Sequence, residues 1–164
     1  MAYLLSEIRH EYPNTVHILN HPTITSQLTK VCQPETKQPE FNRLISSIYS
    51  LLFTEVINAE WPQVPVSVAT RMTEQHPQQQ LHSTILDPQQ KAVIVNIARA
   101  GMLPSQIGFD LLCQTISADN IRQDHVYAAR VTDKHNQVTH TDLSGSKIGG
   151  DIQNAIVLLP DPMG

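Results

Sequence analysis

The residues best placed for chemistry follow apolar runs. Arg99 comes just after Lys91 to Ile97 (KAVIVNI) and Ala98, and is followed by Ala100 and Gly101. A guanidinium makes bidentate, charge-assisted hydrogen bonds to phosphate oxygens. Glycine has no Cβ, tolerates positive φ and lets the backbone come close to a ligand. A helix starting beyond it would aim free N–H groups at the same anion. The pattern fits an anion such as a pyrophosphate, and it fits equally an arginine that caps a turn and pairs with a surface carboxylate. Asp161 is the second candidate: it follows Ala155 to Leu159 (AIVLL) and Pro160, and opens Asp161-Pro162-Met163-Gly164. A carboxylate at a strand end can accept hydrogen bonds from sugar hydroxyls or hold magnesium through water. Its plain alternative is an Asp-Pro turn, which is the reading for Asp87-Pro88, where Gln89-Gln90 and another strand follow.

No other constellation organises itself. The eight histidines form no site: His17 and His21 are four apart, but Asn20 and Pro22 oppose a helix presenting both. There is no H-E-x-x-H or C-x-x-C pattern. Cys113 is expected as a small core residue. Ser144-Gly145-Ser146 lacks the strand-turn-helix setting of a nucleophile elbow.

The elements that must position Arg99 and Asp161 can be read from periodicity. Leu44, Ile45, Ile48, Leu52, Val56 and Ala59 recur at helical spacing and predict a helix from Phe41 to Ala59. Trp61-Pro62 ends it, since proline disfavours a helical residue before it. Val64 to Val68 reads as a short strand, and KAVIVNI as one covered on both faces. A helix is expected from about Pro104 to Gln114, and strands at His125 to Val131 and Ala155 to Leu159. Cys32 to Pro39 and His76 to Gln80 read as surface loops. Val131 to Gly150, polar and rich in Thr, Asp, Ser and Gly, is an exposed loop or a projecting hairpin. Strand, helix, strand, excursion, strand predicts an α/β fold with a parallel sheet and crossover helices, in which ligands bind at the carboxyl ends of the strands.

Composition sets the frame. With 164 residues, 40% hydrophobic and 16% charged, the chain suits one globular domain over 1–164. A net charge of −4 without basic clustering speaks against nucleic-acid or membrane-surface partners. No apolar run is long enough to span a bilayer, and the first ten residues have no secretory signal pattern. Two cysteines, Cys32 and Cys113, make no disulfide framework. A cytoplasmic protein is expected.

Several segments together resemble uracil phosphoribosyltransferases. They are His21-Pro22 followed by Phe41 and a helix with Ser50-Leu51-Leu52 and Glu55; Val95-Asn96-Ile97-Ala98-Arg99-Ala100-Gly101-Met102; Ala129-Arg130; and Val157 to Gly164. These are similar to that family's His-Pro opening, its strand ending in I-L-R-A-G-L, its Y-R pair before a flexible arm, and the start of D-P-M-x-A-T-G-G-S. The resemblance implies a phosphoribosyltransferase-like fold with an arm around 131–150. It further implies binding of 5-phosphoribosyl 1-diphosphate (PRPP), and the reaction of uracil with PRPP to UMP and diphosphate, with substrate-bound Mg2+ assisting. By position, Arg99 and Arg130 would contact the diphosphate, supported by the Ala100-Gly101 turn. Asp161, Pro162, Met163 and Gly164 would begin the loop around the ribose and 5′-phosphate. No acid, base or nucleophile is assigned. A homodimer or higher homo-oligomer is implied.

The chain departs from the family at Cys32, where an arginine is usual, and at Val131-Thr132-Asp133-Lys134-His135, where an acidic run is usual. Ala98 replaces a leucine, and the arm is longer. The segments for the phosphate cradle and the uracil pocket would follow Gly164, so a C-terminally truncated chain, unable to make UMP alone, is expected. The alternative reading is a non-catalytic PRPP- or nucleotide-sensing protein of the same fold.

Overall fold

The structure, a computed structural model, describes residues 3–162. It is a mixed α/β fold with a mostly parallel four-stranded sheet and a separate two-stranded one. The elements run α1 (Pro22–Val31), α2 (Glu40–Glu60), β1 (Gln63–Ala69), β2 (Gln80–Leu86), β3 (Lys91–Ala98), α3 (Met102–Leu112), β4 (Ile121–Thr132), β5 (Val138–Lys147) and β6 (Ala155–Leu158). The larger sheet has the order β5-β4-β3-β6. β3 pairs in parallel with β4 on one side and β6 on the other, and β5 returns antiparallel along β4.

The apolar stripe of α2 lies where periodicity puts it, but its deepest residues are Ile48, Tyr49, Phe53 and Ile57. Trp61 closes the helix and is itself buried. These residues pack on one face of the sheet: Ala92 and Ile94 of β3, with Ile121 of β4 and, partly buried, Ile156 and Leu158 of β6. Register explains the grouping, because Ala92 pairs with Ile121 and Ile156, and Ile94 with Leu158. Helix α3 contributes Leu112 to the same core. It can lie close to α2 because residue 108 is glycine: a Cβ there would stand 2.6 Å from the Phe53 ring. β3 is buried from Ala92 to Ile94, and the cover loosens at Val95 and Ile97.

Two local expectations need correction. Cys113 is not a core residue: it caps the C-terminus of α3 and is exposed. The loop reading at His76 to Gln80 stops short, since Gln80 opens β2. β1, predicted at Val64 to Val68, forms an antiparallel pair with β2, apart from the parallel sheet. The 131–150 stretch takes the hairpin form. Its tip is an Asp turn in which Asp133 Oδ1 accepts from the N–H groups of His135 and Gln137 at 2.8 and 3.0 Å.

Candidate functional site

β3 and β6 run in parallel and deliver Arg99 and Asp161 to the same end of the sheet, the carboxyl end. β3 ends at Ala98, and the peptide joining it to Arg99 is cis. Arg99 and Ala100 are exposed, so the guanidinium stands open to solvent at the mouth of the turn. Gly101 then caps α3, donating its N–H to the Ile97 carbonyl at 2.9 Å.

Gly101 has a φ of −74°, an ordinary value, and is buried. What comes close to it is the chain's own backbone: a Cβ would lie 2.9 Å from Ile97 N, 3.0 Å from Ile97 O and 3.0 Å from Pro160 O. The glycine therefore seats the Arg99 turn directly against the residue before Asp161. The two strand-end turns are one packed unit.

Asp161 is exposed and lies beside the middle of α2, where its charge is felt by Tyr49. Pro162 follows in a turn and is half-buried; Met163 and Gly164 lie outside the described residues. Arg130 is exposed on β4, opposite Thr141 of the arm. Ala98 pairs with Tyr127, so Arg130 lies three residues past the end of β3, about 10 Å further along. The structure thus brings the Arg99 and Asp161 turns together, and sets Arg130 on the arm that rises from the same end of the sheet.

Sequence reasoning missed a polar layer under this end. Asn96, 5% exposed, lies 3.0 Å through Nδ2 from His125 Nδ1 on the neighbouring strand. Gln123 Nε2 donates to Ser105 Oγ at 3.1 Å, tying β4 to α3. Further back, Asp124 is buried; it accepts from Arg122 Nε at 3.0 Å and from Gly149 N–H at 3.0 Å, which fixes the return of the arm to the sheet. Burial alone would raise the Asp124 pKa. Hydrogen bonds from Arg122 and Gly149, with the charges of Arg122 and His125, outweigh it and hold the carboxyl below its ordinary value. Arg122 and Asp124 stand two apart on a strand, a spacing that places both on one face and is visible in the sequence. Gly149 is 25 residues away from Asp124, and nothing local announces it. His21, part of the His-Pro segment, accepts the Ile24 N–H through Nδ1 at 3.4 Å and caps α1.

The mostly parallel sheet, with the Arg99 and Asp161 turns packed together at its carboxyl end, puts the chain in the α/β class, whose open sheets bind ligands at strand ends. The model of the uracil phosphoribosyltransferase family matches residues 18–164, and the chain belongs to that family. Among solved structures, the AQ2163 protein from Aquifex aeolicus is similar in fold, with a TM-score of 0.65 and 16% identity. That match covers 88% of this chain, and the chain spans 60% of the length of that structure. No curated protein matches the chain. Among the described residues, no helix is long and apolar enough to cross a membrane, and no group of three or more His, Cys, Asp and Glu is placed to hold a metal ion.

Proposed function

We propose that this chain is the PRPP-binding portion of a uracil phosphoribosyltransferase, which transfers the phosphoribosyl group of PRPP to uracil with release of diphosphate. The observation that carries the reading is the packing of Gly101 against Pro160, which holds the Arg99 and Asp161 turns at one end of the sheet. In this reading Arg99, on its exposed turn with Ala100 and Gly101, binds the diphosphate, and Arg130 approaches it from the arm. Asp161 accepts hydrogen bonds from the ribose hydroxyls, and Pro162, Met163 and Gly164 lead into the loop around the 5′-phosphate.

Breaking the bond between the ribose carbon and the diphosphate oxygen leaves positive charge on the sugar ring and adds negative charge to the departing group. Fixed guanidinium groups at the diphosphate end stabilise that developing charge without reorganising. Magnesium enters as part of the substrate, on the diphosphate oxygens and water, a common binding mode for this ion. Uracil as the acceptor, a homo-oligomeric assembly and a cytoplasmic location follow from family membership and belong to the proposal.

Calorimetry with PRPP and magnesium tests it. The wild-type chain should bind, and Arg99→Ala should weaken binding roughly ten- to a hundredfold, the worth of a charged hydrogen-bonding group. Equal affinity in the variant, or no binding by the wild type, would refute the assignment. Binding without any UMP formation when the full-length protein is given uracil would favour the non-catalytic PRPP-sensing alternative.

A further inference from the structure

Beneath the Asp161 turn lies a cavity of about 260 Å³ between α2 and the end of β6. Leu52, Phe53 and Val56 line it from the helix and Leu158 from the strand. Two lining residues carry polar side chains, Tyr49 and Asp161. Tyr49 is 7% exposed, and its ring lies against Phe53 with centroids 5.9 Å apart and planes tilted by 44°. A phenylalanine would fill the same space, as Phe53 does one turn on. A tyrosine is the better choice where the far end of a buried ring meets something polar. Burial, and then the negative charge of Asp161, push the Tyr49 ionisation above its ordinary value. The phenol therefore stays protonated near neutral pH and keeps its proton to donate.

We infer that Tyr49 is a positioning residue for Asp161: its hydroxyl, held by the packing of its ring against Phe53 on the same helix, directs the carboxylate from below through one water in the shared cavity. The inference rests on the PRPP reading of Asp161 and deepens it. A carboxylate that must meet ribose hydroxyls gains from being held in one rotamer before the ligand arrives, because less freedom is lost on binding. The Pro160 backbone is already fixed by Gly101 from one side; Tyr49 supplies the side-chain constraint from the other.

Tyr49→Phe keeps the ring and removes the hydroxyl. The Kd for PRPP with magnesium should rise roughly three- to tenfold, the range for loss of one neutral hydrogen bond, while the melting curve stays close to that of the wild type. An unchanged Kd in a normally folded variant overturns the inference. A second measurement needs no ligand and leaves Tyr49 in place. With tyrosine labelled with carbon-13 at Cζ, Asp161→Asn should move the Tyr49 titration down. A titration that does not move overturns the inference, even if Tyr49→Phe fails to fold. Absence of PRPP binding by the wild type would instead count against the proposed function, and the Tyr49 titration would still decide whether the two side chains are coupled.

Discussion

At Asp124 a nearly buried carboxylate stays charged because the chain surrounds it with donors. The Arg122 side chain is 29% exposed and that of Asp124 4%, so the pair is mostly shielded from water. Removing one partner of such a pair leaves the other charge uncompensated, which costs about 3 kcal/mol. Asp124→Asn is therefore expected to lower unfolding free energy by about that amount at pH 7, read by urea titration. The pH dependence has a definite sign. The folded-state pKa lies below the unfolded one, so the contribution is complete above about pH 4 and is lost as pH falls through the folded value. The gap between wild type and variant should narrow on acidification below about pH 4; a gap that stays constant or widens would contradict this account. Residue-level chemistry was legible only where it was local. Arg99 and Asp161 stood out because each follows an apolar strand. Gly149, which donates to Asp124, and Asp161, whose charge reaches Tyr49, come from distant segments, and no spacing rule connects them.

Between elements, the decisive contact is that of the α3 cap with the end of β6. Gly101 sits 3.0 Å, measured from an added Cβ, from the Pro160 carbonyl, and two of the three nearest atoms belong to Ile97. All are backbone atoms, so no rotamer change can make room. Gly101→Ala must push the Arg99 turn away from the Asp161 turn. The expected cost is about 1–3 kcal/mol of stability and at least about tenfold in PRPP affinity, since small misplacements in a positioned site are expensive. Calorimetry on a folded Gly101→Ala protein that bound PRPP like the wild type would show that the two turns need not be packed together. The elements that meet here, β3, α3 and β6, were all visible as β-branched runs or a capped apolar stretch. Those that escaped were α1 and β2. Sequence PTITSQLTKV is polar and β-branched, and it forms a helix with Pro22 in its first turn and a histidine cap. QLHSTIL has no residue fully buried, so its alternation gave no contrast to read. It becomes a strand through pairing with β1.

Across the whole molecule, stability should be graded around β3. This strand is hydrogen-bonded on both sides, to β4 and to β6, and Ala92, Val93 and Ile94 are at most 2% exposed. Its amides can exchange only if the sheet and the α2–α3 layer open together. The β1–β2 pair is the opposite case. It is a two-stranded sheet, none of its residues is fully buried, and Val68, Leu81 and Ile85 are 45%, 53% and 42% exposed. A two-stranded hairpin on its own is marginal in water, and Leu86 is the member of the pair that packs against the core. Native-state hydrogen exchange should therefore find the amides of Val93 to Val95 among the slowest, opening only with global unfolding. Those of Val66 to Val68 and Leu81 to Ser83 should exchange by local opening, at rates independent of low denaturant. The same ordering has a functional side. The Arg99 turn hangs from β3, the strand bonded on both sides, and the Asp161 turn from β6, the short strand paired to its edge, so the Arg99 half of the site is carried by the part of the molecule that opens least. If β1–β2 proved as protected as β3, the hairpin would have to be held by contacts beyond Leu86, and the rigid centre would extend to both sheets.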